Sequence, residues 1–221
     1  MKQFIKSTFE LQKFIGLKSS EDIFWITFGY CLASKNKNRN SDIYFVTTFI
    51  EFIHKKYPQS FQHYNWGILL RLYSCDDKNS ILKFEEEFNL FLLEPIHSFN
   101  ENSLTQKLNI YHQRGVTLLT ILDESCSSLN SLLELQMLLL GYIESCRINK
   151  VNDTSLSLYL ENKYLYEKAI LKEQKIPENQ NCLRILHASF YSSQEALQYY
   201  RDKMTYFITR DIKRYKYKAP I

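Results

Sequence analysis

The chain has 221 residues, 45% of them hydrophobic, with 5 Gly and 4 Pro against 16 Tyr and 15 Phe, a composition that can bury one large or two small cores and that excludes disorder and a turn-rich β fold. A net charge of +4, with most of the excess at the C-terminal end, falls short of the footprint of a strong nucleic-acid binder. The five cysteines are odd in number and contain no CxxC pair, which excludes a disulfide framework and fits reduced thiols.

Residues 3–15 alternate apolar and polar and predict a short helix that stops at Gly16. Polar residues interrupt this stretch too often for an export signal, and the longest apolar run, Leu132 to Ile143, contains Glu134 and Gln136 and is too short to span a bilayer. The expectation is a cytoplasmic protein without a membrane segment. Ser19 and Asp22 form a capping pair for a helix carrying Ile23, Ile26 and Phe28 through Gly29. A polar loop from Ser34 to Asp42 precedes a helix at about 43–57 that Pro58 stops. Trp66 to Tyr73 gives a third helix. Ser74 to Asp77 reads as the cap of a fourth, running to about Leu93 with Ile81, Phe84, Phe88, Phe91 and Leu92 as its buried stripe. After a junction at Pro95, one further helix is expected at about 104–123, and then four more at about 131–146, 155–171, 181–189 and 193–210.

The order of these elements repeats. Without a gap, Asn65–Leu92 aligns with Asn181–Ile208 and pairs Leu70 with Leu186, Ile81 with Leu197, Phe84 with Tyr200, Phe88 with Met204 and Phe91 with Phe207. Ser19–Tyr30 aligns with Ser131–Tyr142, bringing Gly29-Tyr30 onto Gly141-Tyr142, and Phe49–Tyr57 is matched with Leu156–Tyr164. Three blocks in one order predict an all-α fold built by tandem duplication of a four-helix unit packed as a pseudo-twofold bundle. The expected divisions are an N-terminal repeat at 1–95, a connecting segment with an extra helix at 96–127, and a C-terminal repeat with a basic tail at 128–221. Glycine in a helix costs about 1 kcal/mol against alanine, so its recurrence before tyrosine points to close helix packing.

No P-loop, dinucleotide fingerprint, HExxH or GxSxG occurs, and His54, His63, His97, His112 and His187 lack metal-ligand spacing. The reading is therefore a non-enzymatic chain with no cofactor or metal. Two charged groups remain as candidate contacts. Asp76, Asp77, Glu85, Glu86 and Glu87 concentrate negative charge on the fourth helix, where complementarity would speed association with a basic protein partner and fix its register. Arg210, Lys213, Arg214, Lys216 and Lys218, interleaved with Tyr206, Tyr215 and Tyr217, are the alternative, a tail that could hold nucleic acid through phosphates and stacking.

FIGLKSSEDIFWITFGY (Phe14–Tyr30), then FIEFIHKKY and NWGILLRLYSCDDKNSILKFEEEFNLFL, resembles small helical bacterial proteins regarded as immunity proteins and encoded beside polymorphic toxins. The resemblance covers about Phe14 to Glu94. It implies an inhibitor that neutralises a cognate toxin by direct binding, and it carries no catalytic motif. The second copy departs from the pattern, with Cys182 in place of Trp66 and Ala188-Ser189-Phe190 in place of Leu72-Tyr73-Ser74.

Overall fold

The computed structural model describes residues 16–33, 39–57, 64–93, 115–123 and 129–218, with the side chains of 39–44, 46–47 and 215–218 left aside. Among the described residues the structure is all helical, with no strand. The helices are α1 Ser20–Ala33, α2 Arg39–Lys56, α3 Trp66–Leu72, α4 Asp77–Leu93, α5 Leu118–Asp123, α6 Leu132–Asn149, α7 Thr154–Glu173, α8 Cys182–Ser189 and α9 Ser193–Lys218. The predicted helix at 3–15 lies outside the described residues. Two compact units result, one of residues 1–115 with 137–149, the other of 116–136 with 150–221.

In the first unit α1 packs against α2, α3 and α4. It is apolar around its whole circumference, and every residue from Asp22 to Ala33 is buried, as expected of a helix with no solvent side. The Asp22 carboxylate accepts from the backbone N–H groups of Lys18 (2.6 Å) and Ser19 (3.1 Å), closing the predicted cap. Ser20 then ties the helix start to its neighbours, its N–H donating to the Ser80 hydroxyl and its own hydroxyl to the Gly67 carbonyl. Beneath lies an aromatic core. Trp66 stacks on Phe84 with centroids 4.8 Å apart, while Phe24 and Phe49 approach its ring edge-on at 5.4 and 5.3 Å. Phe49 also meets Phe45, Phe88 and Phe91, so one residue of α2 joins the rings of α3 and α4. Such pairs each contribute about 0.5–1.5 kcal/mol beyond the area they bury.

The recurring glycines meet at a helix crossing inside this unit. A Cβ added at Gly29 would overlap the carbonyl oxygen of Leu138, and one added at Gly141 would overlap that of Ile26. The contact is reciprocal in sequence, because a single offset of 112 residues carries Gly29 to Gly141 and Ile26 to Leu138. The same offset carries the α1 cap to α6, where the Ser131 hydroxyl accepts from Glu134 N–H and the Glu134 carboxylate from Asn130 N–H.

In the second unit α9 packs along α7 and touches α5 and α8. Asp153 begins two helices at once. One carboxylate oxygen accepts from Ser155 N–H at the start of α7 (2.9 Å) and the other from Leu118 N–H at the start of α5 (2.7 Å). At the other end of α5 the buried Arg201 of α9 donates to the carbonyls of Leu122 and of Asp123, groups that a helix C-terminus leaves without partners. Tyr166 stacks on Phe207 in the core between α7 and α9.

Several expected elements need correction. The helix predicted at 104–123 begins, within the described residues, only at Leu118, since Gly115 adopts φ +74° and residues 115–117 are not helical. The cap of α4 is Asp76, whose carboxylate accepts from Asn79 N–H, and its counterpart is Ser192, which accepts from Glu195 N–H. Ser74 instead donates back to the Leu70 carbonyl. The last helix continues past residue 210 to Lys218. The match of Phe49–Tyr57 with Leu156–Tyr164 sets Ile53, fully buried, against Leu160, which is 53% exposed. Ion pairs indicate another register. Lys56 bonds Glu87 at 2.7 Å, and Glu173 bonds Lys203, which places α7 ten residues further along and aligns Phe49 with Tyr166 and Ile53 with Ile170, all buried.

Candidate functional site

The acidic helix α4 buries Ile81, Phe84, Phe88 and Phe91 on one side. At 100° per residue, Leu82, Glu85, Glu86, Leu90 and Leu93 fall on the opposite side, and all five are exposed. Leu92, expected in the core stripe, lies at its margin and is exposed as well.

The five predicted acids do not share one environment. Asp76 is exposed and occupied by capping, while Asp77 accepts from Arg71 Nε at 2.7 Å, with Glu21 on the same guanidinium at 3.1 Å. Glu85 and Glu86 face solvent, Glu86 with Lys83 at 3.3 Å. Glu87 is the exception and must be removed from the docking face: its side chain is fully buried, held by Lys56 Nζ at 2.7 Å, the Tyr57 hydroxyl at 2.8 Å and Lys83 Nζ at 3.5 Å. Burial pushes its carboxyl pKa up, but the bonds from Lys56 and Tyr57 and the two lysine charges outweigh that and hold it below the usual carboxylate range. Burial and the bond to Glu87 push the Tyr57 phenol up. Three consecutive glutamates spread over about 200° of the helix circumference, so with Glu85 and Glu86 on the solvent side Glu87 falls beside Phe84 and Phe91 at the edge of the buried stripe.

The sequence reading missed the leucines. Leu82, Leu90 and Leu93 are 52%, 45% and 81% exposed. The aligned positions of α9 are Gln198, Tyr206 and Thr209, and that helix packs equally well in its own unit. An exposed leucine is thus not a requirement of the fold at those places. The signal was present as leucines recurring opposite the phenylalanines.

A second apolar strip lies on α7, where Leu160, Tyr164 and Leu165 are exposed and Lys168 sits 4.6 Å from the Tyr164 ring centroid. Lys168 and Lys172 continue the same helix face.

The basic tail is partly neutralised. Asp211 accepts from Arg210 Nε at 3.0 Å and the Tyr166 hydroxyl at 2.8 Å, with Arg214 at 3.8 Å. Burial raises the Asp211 carboxyl, and these three partners bring it below its ordinary value. The Arg210 guanidinium covers the Phe207 ring at 5.2 Å. Lys213 is exposed, and Lys216 and Lys218 continue the helix beyond the described side chains.

Cys182 starts α8 in the core of the second unit. Burial, and next the Glu167 charge, push its thiol up to about 12, so it stays protonated at neutral pH. Among the described residues no group of three His, Cys, Asp or Glu side chains could hold a metal ion, and no helix is long and apolar enough to cross a membrane. His63, His97, His112 and Cys126 lie outside the described residues. No family model, no curated protein and no solved structure matches the chain.

Proposed function

We propose that this chain is a non-enzymatic binding protein of the immunity type, which neutralises a cognate toxin by seating it on the outer face of α4. The observation that carries the reading is the row of exposed leucines, Leu82, Leu90 and Leu93, flanked by Glu85 and Glu86, where the aligned helix α9 has polar residues and one tyrosine. Burying these leucines against a partner would remove apolar surface from water, and the acids at their margin favour a partner with a basic surface. The resemblance of residues 14–94 to immunity proteins supports the same reading, as does the rigid aromatic core behind the face. Tandem duplication of the four-helix unit is proposed with it: the α1 and α6 caps, the reciprocal glycine crossing and the paired cores all favour descent of the two copies from one.

The test is protection. Cells arrested by the protein encoded beside this chain should resume growth when the chain is co-expressed, and a Leu90→Asp, Leu93→Asp variant with an unchanged circular dichroism spectrum should not rescue them. Equal rescue by that variant would remove α4 from the reading. Salt-sensitive retention on nucleic acid, lost when the residues beyond Ile208 are deleted, would favour the tail instead.

A further inference from the structure

The two apolar strips are complementary to each other. On α4 the order along the helix is Leu82, then Glu85 and Glu86, then Leu90 and Leu93; on α7 it is Leu160, then Tyr164 and Leu165, then Lys168 and Lys172. Run antiparallel, with one helix reversed against the other, Glu86 falls opposite Lys168, Leu90 opposite Tyr164 and Leu93 opposite Leu160, while Leu82 meets the aliphatic stem of Lys172. Each of these residues faces away from its own unit's core. Run parallel with Glu86 kept against Lys168, Leu82 meets Tyr164 but Leu90 meets Lys172 and Leu93 falls past the helix end at Glu173, so the antiparallel order gives apolar partners to more of the strip. The span from Leu82 to Leu93 is about 17 Å at 1.5 Å per residue, and the facing stretch of α7 is of similar length.

We infer that α4 of one copy docks antiparallel on α7 of a second copy of this chain, so that the protein self-associates through the leucine strip. The apolar residues supply the contact and its direction, and Glu86 fixes the register by meeting Lys168, which within its own chain lies 3.4 Å from Glu178 and shares its charge between the two carboxylates on docking. A single pair of helices buries less than a standard interface, which makes the association reversible and concentration-dependent. It rests on the exposure of the α4 strip and not on the identity of any foreign partner; a toxin that uses the strip would compete with the second copy.

The experiment is sedimentation velocity on the purified full chain over a concentration series, without any other protein. The wild type should shift to larger species as concentration rises, and Glu86→Lys or Lys168→Glu should each weaken the shift several-fold, both substitutions lying on exposed or half-exposed side chains. The combined Glu86→Lys, Lys168→Glu chain should recover the wild-type behaviour, because the pair is restored with its signs exchanged. A wild type that stays monomeric throughout, or a combined variant as weak as either single one, overturns the inference. Since toxin protection is not the readout, its failure and this one are told apart.

Discussion

Replacing Gly29 by Ala tests the close approach of α1 to α6 in the first unit. In an isolated helix the change would stabilise by about 1 kcal/mol through propensity. Here the added Cβ would overlap the Leu138 carbonyl, a backbone group that cannot rotate aside as a flexible side chain would. Relief requires α1 and the second half of α6 to separate, and α1 is buried on every side from Asp22 onward. Overpacking of this kind costs about 1–3 kcal/mol and occasionally more, and a backbone obstruction belongs at the upper end, so the net effect is a loss of about 2 kcal/mol. For a chain of this length that lowers the melting temperature by about 4–8 °C. Gly141→Ala, which meets Ile26 in the mirrored contact, should cost a similar amount. The double variant should cost less than the sum, since one separation relieves both overlaps. Urea and thermal unfolding followed by far-ultraviolet circular dichroism measure all three. A neutral or stabilising Gly29→Ala, or strict additivity in the double variant, would refute the close approach.

Phe88→Ala should cost about 3–5 kcal/mol in urea unfolding, because the side chain packs between Phe45, Phe49 and Phe84. Arg201→Met should destabilise the second unit by about 1–3 kcal/mol, leaving the carbonyls at the end of α5 without their donor; an unchanged midpoint would deny that cap. Glu87 gives a pH test: its carboxyl is lowered in the fold, so its contribution is full above the unfolded-state carboxylate value and is lost as pH falls through the folded one. Wild-type stability should therefore decline on acidification more than that of Glu87→Gln, and parallel curves would mean that the buried pair does not titrate this way. Leu90→Asp, by contrast, should move stability by no more than about 0.5 kcal/mol, as befits an exposed position.

The helical class and most helix positions were legible because phenylalanine and leucine at helical spacing leave few alternatives, and the core pairs from Ile81 with Leu197 to Phe91 with Phe207 are buried in both units. The glycine-tyrosine recurrence was also readable, since a helical glycine is worth its cost only where something comes close. The register of α7 was not. Identity in the surface residues of Phe49–Tyr57 and Leu156–Tyr164 outweighed a core match, Phe49 with Tyr166, that shares little beyond an aromatic ring. Glu87 was misplaced for a related reason: three adjacent glutamates look alike in sequence, and only the positions of Lys56 and Tyr57, about thirty residues away in the chain, decide which one turns inward. The exposed leucines were hidden by their type, since leucine on an amphipathic helix is read as core by default.

The inverted ion pairs bear on whether the two halves could be exchanged. Lys56 meets Glu87 in one unit, and Glu173 meets Lys203 in the other. Transplanting residues 193–209 in place of 77–93 would bring Lys203 against Lys56 with no acid between them, in a spot where the native Glu87 is shielded from water. The first unit would thus resist the second unit's last helix at this position even though the apolar residues align, whereas the reverse exchange sets Glu87 against Glu173 at a half-exposed site where like charges cost little. The order of this ion pair is thus a difference between the two units that their aligned apolar residues do not reveal.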